Sequence, residues 1–90
     1  MIGAAQIRAA RALLGVNQIK LSEWAGISVG TVKRIEAASE IRGAAETLWK
    51  IQVALENAGV EFIPDDELKG PGVRLKESTR KTRRKRKSAG

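Results

Sequence analysis

The stretch "QIKLSEWAGISVGTVKRIEA", residues 18 to 37, constrains the fold more than any other part of the chain. Two helix-length runs flank Gly26, and neither reaches the roughly 12–15 residues at which an isolated helix begins to hold in water. Each run carries an apolar face at helical spacing, Leu21 and Ala25 on the first and Val32 and Ile35 on the second. Asn17 and Ser28 stand where N-caps belong, and Gly26 suits a left-handed turn between the runs. The two helices must therefore bury against each other and against a third element, with Ile27 in the turn among the buried side chains. Ser22 is small where they come closest.

The third element is a first helix over about residues 4 to 14, with Ile7, Ala10 and Leu14 at helical spacing and Gly15 as its stop. After the pair, residues 39 to 43 read as a connector. A fourth helix follows over about 44 to 58, with an apolar stripe of Leu48, Ile51, Val53 and Leu55, and Gly59 ends it. The period then changes. "VEFI" (60 to 63) and "GVRLK" (72 to 76) read as two short strands, joined by a turn-rich segment that Pro64 and Pro71 punctuate. An antiparallel hairpin is the simplest pairing. A lone hairpin is marginal in water, so it is expected to pack on the fourth helix or to extend across a partner subunit. The chain divides into a helical domain (1–59), a hairpin extension (60–77) and a tail (78–90), with no internal repeat.

Charge sharpens this division. The formal net charge is +7, and Arg80, Lys81, Arg83, Arg84, Lys85, Arg86 and Lys87 all fall in the tail, which has no acid. The preceding residues carry as many acidic as basic side chains. A block of this kind is expected to be solvated and disordered, with a polyanion as its natural partner. The 90 residues contain no cysteine and no histidine, which removes thiolate chemistry, the commonest general base and the commonest zinc ligand. Asp65, Asp66 and Glu67 are adjacent acids in a turn and read as a solvated loop rather than a metal site. No enzyme, metal or cofactor is expected. No apolar run approaches the roughly 18 residues of a membrane span, and the N-terminus lacks a signal-peptide core, so a cytoplasmic protein without membrane contact is expected.

Two helices joined by a short Gly-containing turn are the layout of a helix-turn-helix. "QIRAARALLGVNQ", followed by "LSEWAGIS" and "TVKRIE", resembles the Cro/repressor-type (XRE) helix-turn-helix transcriptional regulators over roughly residues 5 to 57. The later "ALENAGVEFI" and "GPGVRLK" resemble a bacterial branch of that family with a hairpin-like extension. The resemblance implies a mainly α fold, a four-helix lambda-repressor-like helix-turn-helix domain with a short β-hairpin and a disordered basic tail behind it. It further implies that Gln18 holds a backbone phosphate, as suits a helix N-terminus. Ser28, Val29, Gly30, Thr31, Lys33 and Arg34 then fall where the family's recognition helix meets DNA. Val29 is suited to a thymine methyl, Gly30 to close approach, and Arg34 to the O6 and N7 of guanine. Thr31 and Lys33 are assigned to phosphates, with Arg42 as a further phosphate contact. Arg11 and Glu36 match a pair that ties the recognition helix to the first helix. The family's usual glycine after that Glu is missing, so Ala38 or Ser39 must close the helix.

The expected function is therefore a sequence-specific DNA-binding transcriptional regulator, a dimeric repressor on an inverted-repeat operator, with double-stranded DNA and a second copy of the chain as partners. The alternative is a protein-binding module of antitoxin or anti-activator type that keeps the scaffold and binds through Trp24, Trp49 or the hairpin edge. A third reading is an RNA-binding protein led by the tail. Trp24 and Trp49 themselves read first as covers for the edges of the core.

Overall fold

Local signals set most of the helix ends. In the computed structural model, which describes residues 2–38 and 45–77, the chain runs α1 (Ala4–Leu14), α2 (Gln18–Ala25), α3 (Val29–Ala37), α4 (Ala45–Asn57), β1 (Val60–Ile63) and β2 (Gly72–Leu75). Gly15 ends α1 and Gly26 ends α2, each in the left-handed region (φ 68° and 69°) where a side chain would be strained. The Asn17 side chain accepts the Lys20 N–H at 2.8 Å, and the Ser28 hydroxyl accepts the Thr31 N–H at 3.1 Å, so α2 and α3 begin at capped ends. The connector after Ala38 and the basic tail lie outside the described residues.

The fold is mainly helical, with a two-stranded antiparallel hairpin. Its fully buried side chains come from every helix and from β1: Ile7, Leu21, Val32, Ile51, Leu55 and Val60. Each such Ile, Leu or Val contributes about 1.5–3 kcal/mol relative to exposure. Leu14, Ala25 and Ile27 pack around this centre half-buried. In α4 the buried stripe is Leu48, Ile51, Ala54 and Leu55, and Val53 is only partly covered. The correction is geometric, since two residues beyond Ile51 is more than half a helical turn away from its face. Buried Ser22 donates its hydroxyl to the Ile19 carbonyl at 2.6 Å, which satisfies a polar atom within the apolar contact.

The hairpin pairs Val60 with Leu75, Glu61 with Arg74, Phe62 with Val73 and Ile63 with Gly72. Val60, Phe62, Val73 and Leu75 turn inward onto the helical core. Gln6, at the start of α1, fixes the other end. Its side-chain oxygen accepts the Gly3 N–H at 2.9 Å, and its nitrogen donates to the carbonyls of Gly72 (2.9 Å) and Ile63 (3.3 Å). The hairpin thus shares the core of its own chain. Among the described residues no helix is long and apolar enough to cross a membrane.

Candidate nucleic-acid interface

One face of α3 is apolar and the other is not. Val32, Ile35 and Glu36 are buried, while Ser28, Gly30, Lys33 and Arg34 are exposed and Val29 and Thr31 lie half-exposed at the margins. Among the described residues neither Lys33 nor Arg34 has a carboxylate within ion-pair distance. Two cations therefore stand open on one side of a short helix.

Glu36 is the exception to the inward pattern, a carboxylate only 3% exposed at the C-terminal end of a helix. Helix dipoles disfavour a negative charge there. Two arginines three residues apart on α1 resolve the conflict. Arg11 forms a two-pronged pair, Nε to Glu36 Oε2 and Nη2 to Oε1, both at 2.7 Å, and its Nη1 donates to the Val16 carbonyl at 3.2 Å. That carboxylate raises the Arg11 pKa further above its ordinary value, mainly through the hydrogen bond, so the guanidinium stays charged. Arg8 donates to the backbone carbonyl of Glu36. The helix then closes at Ala38 in an extended conformation without a left-handed residue. Arg8 supplies what the missing glycine cap would have supplied, a donor for a terminal carbonyl.

Gln18 belongs to this same hub. Its side-chain nitrogen donates to Glu36 Oε1 at 3.1 Å. The residue expected to hold a phosphate therefore braces α2 against α3, with one amide N–H left over. On the outer face Ser28, Thr31 and Arg34 form a chain. Ser28 Oγ lies 2.8 Å from Thr31 Oγ1, which in turn accepts from Arg34 Nη2 at 3.1 Å. Seven of the eight expected contact residues thus fall on α3, at its N-cap or at the start of α2; Arg42 lies outside the described residues. Arg8 was not singled out in the sequence, although its three-residue spacing from Arg11 put both on one face of α1.

Gly30 stands in the first turn of α3 with no structural demand for glycine. Its φ is not positive, and a Cβ built there meets only Ser28 Oγ, at 3.9 Å. Alanine would fit and would favour the helix by at most about 1 kcal/mol, the value for a helix interior.

Elsewhere, Trp49 is 65% and Trp24 43% exposed, so neither simply closes a core edge as the sequence suggested. Trp49 sits beside the Leu48–Ile51–Leu55 stripe, not on it. Trp24 lines an open groove of about 280 Å³ with Ala54, Asn57 and Ala58. In the acidic turn, Asp66 accepts the N–H groups of Leu68 (2.8 Å) and Lys69 (2.7 Å), which hold its pKa below the ordinary aspartate value. Among the described residues no cluster of three or more His, Cys, Asp or Glu is placed to hold a metal ion. No protein-family model matches the chain, and no curated protein matches it.

Proposed function

We propose that the chain is a sequence-specific DNA-binding regulator whose α2–α3 pair is a helix-turn-helix and whose α3 is laid in the major groove. Gly30 carries this reading. A first-turn glycine that the fold does not require, at the leading end of an outward face that continues through Lys33 and Arg34, marks a surface shaped for close approach by something external. The open cations make that partner anionic. The width of one short helix suits the B-DNA major groove.

In this reading Val29 meets a thymine methyl, Arg34 reads guanine, and Lys33 and Ser28 hold phosphates. The Arg11–Glu36–Gln18 hub keeps α3 rigid against α1 and α2, and Gln18 retains an N–H for the backbone. Two copies related by a two-fold axis would set their α3 helices about 34 Å apart, one turn of DNA. Repression then follows from occupancy of the operator. The tail, carrying seven basic side chains, adds non-specific grip, each neutralised phosphate contributing about −0.9 to the log–log salt slope.

Selection of bound sequences from random duplex DNA tests the proposal. Recovery of an inverted repeat is expected. Arg34→Ala should lower the ratio of operator to random-DNA affinity, while a chain ending at Glu77 should bind both more weakly and with a shallower salt slope. If no sequence is enriched by the intact chain, the proposal fails.

The exposure of Trp49 and the Trp24 groove favour a second reading, a protein-binding module on the same scaffold. It requires that Trp49→Ser abolish a protein complex and that Arg34→Ala leave it intact.

A further inference from the structure

We infer that Thr31 is a positioning residue for base choice. Through the Ser28–Thr31–Arg34 chain it holds the Arg34 guanidinium ready for guanine before DNA arrives, and it is not itself a phosphate contact. The inference rests on the proposed DNA-binding reading and deepens it.

Proton counting along the chain leads to this role. Arg34 can only donate, so Thr31 Oγ1 accepts from it. Ser28 Oγ already accepts the Thr31 N–H. One hydroxyl proton is used between Ser28 and Thr31, in either direction, and one remains free. The outward side of α3 therefore offers the remaining guanidinium protons, the Lys33 ammonium and one hydroxyl proton, against a single unfilled hydroxyl lone pair. Such a face matches a base edge made of acceptors. In the major groove guanine presents two adjacent acceptors, O6 and N7, whereas adenine and cytosine each present an amino donor.

The Thr31 bond consumes one Nη2 proton and leaves the other Nη2 proton, both on Nη1 and the one on Nε. A two-pronged contact needs only two of these. The bond also restrains a long side chain that would otherwise be ordered only on binding. Threonine suits the task because its branched Cβ limits χ1 to few rotamers.

The test uses the full chain and the operator it selects, with each guanine replaced in turn by 7-deazaguanine, which lacks the N7 acceptor. In the unaltered protein one guanine per half-site should be sensitive, and Arg34→Ala should abolish that sensitivity. Thr31→Val removes the hydroxyl with little change in shape and leaves the backbone N–H for the Ser28 cap. It should reduce the guanine/7-deazaguanine affinity ratio by about two- to tenfold, the effect of ordering one long side chain. Random-DNA affinity should stay the same. Thr31→Ser, which restores the hydroxyl, should recover the ratio. Should Thr31→Val melt early, Thr31→Ala provides the same measurement. An unchanged ratio in the Val and Ala variants overturns the role of Thr31 and leaves the DNA-binding proposal standing. Selected DNA with no Arg34-dependent guanine also overturns it. The absence of any selected DNA sinks both.

Discussion

Among the described residues, two arginine–carboxylate pairs of similar closest approach stand in opposite surroundings. Arg11 and Glu36 meet at 2.7 Å with the carboxylate 3% exposed, and Arg74 and Glu61 meet at 2.8 Å across the outer face of the hairpin, 67% and 46% exposed. Distance alone would rank them as equals, but burial separates them. The buried Glu36 carboxylate cannot fall back on water, whereas Arg11, 20% exposed, reaches it from the edge of the core, so the carboxylate depends on its protein donors. On the surface water replaces either partner, and the pair mainly favours strand register over the alternatives. The first therefore holds α3 in place, whereas the second decorates an edge.

The largest expected effect follows from breaking the buried pair. Arg11→Ala leaves the buried Glu36 carboxylate uncompensated in charge, with only the Gln18 amide as side-chain donor, and should cost about 3–5 kcal/mol. At roughly 4–8 °C per kcal/mol for a domain of this size, thermal unfolding should then begin at least about 12 °C lower. Replacing both partners together, Arg11→Met with Glu36→Leu, should recover most of that loss. A double variant as unstable as the single one would show that the charges themselves, and not the stranded carboxylate, set the cost.

A smaller effect belongs to the join between helices and hairpin. Gln6→Ala removes the donor shared by the Gly72 and Ile63 carbonyls and should cost about 1–2 kcal/mol. Amide exchange should quicken in β1 and β2 and stay unchanged in α2 and α3. Uniform quickening would mean that the hairpin does not open separately.

The smallest effect is at the surface pair. The Arg74 hydrogen bond, then its charge, holds the Glu61 pKa below the ordinary glutamate value. Because the folded pKa lies below the unfolded one, the stabilisation is present above the ordinary carboxylate range. It is lost as pH falls through the depressed value. Titration followed by NMR should show Glu61 moving back toward its ordinary value in Arg74→Ala, and part of the way in concentrated salt. Melting at neutral pH should hardly change. A loss of stability comparable to that of Arg11→Ala would erase the distinction between the pairs.

What could be read from the sequence divides along a similar line. The starts of α2 and α3 and the ends of α1 and α2 were legible because Asn17, Ser28, Gly15 and Gly26 act within one turn of their own positions. The Arg11–Glu36 tie was legible only through family resemblance, since nothing local links residues so far apart. Gln6 gave no signal, because its partners lie 57 and 66 residues away. Gln18 showed a helix start but not the buried carboxylate it serves. Trp49 read as a cover for a core edge because a large aromatic is costly to expose, yet it is 65% exposed. For α3, spacing separated the inward residues from the outward ones, and the outward set coincides with the candidate interface. The surplus of glycine at position 30 emerged only when space for a side chain was visible there.

That surplus allows fold and function to be pulled apart in one variant. Gly30→Ala, measured by thermal unfolding and by affinity for the selected operator, should melt no lower, and up to about 8 °C higher, and bind the operator at least about tenfold more weakly. A variant that is both more stable and equally tight on DNA would contradict the placement of α3 against the bases.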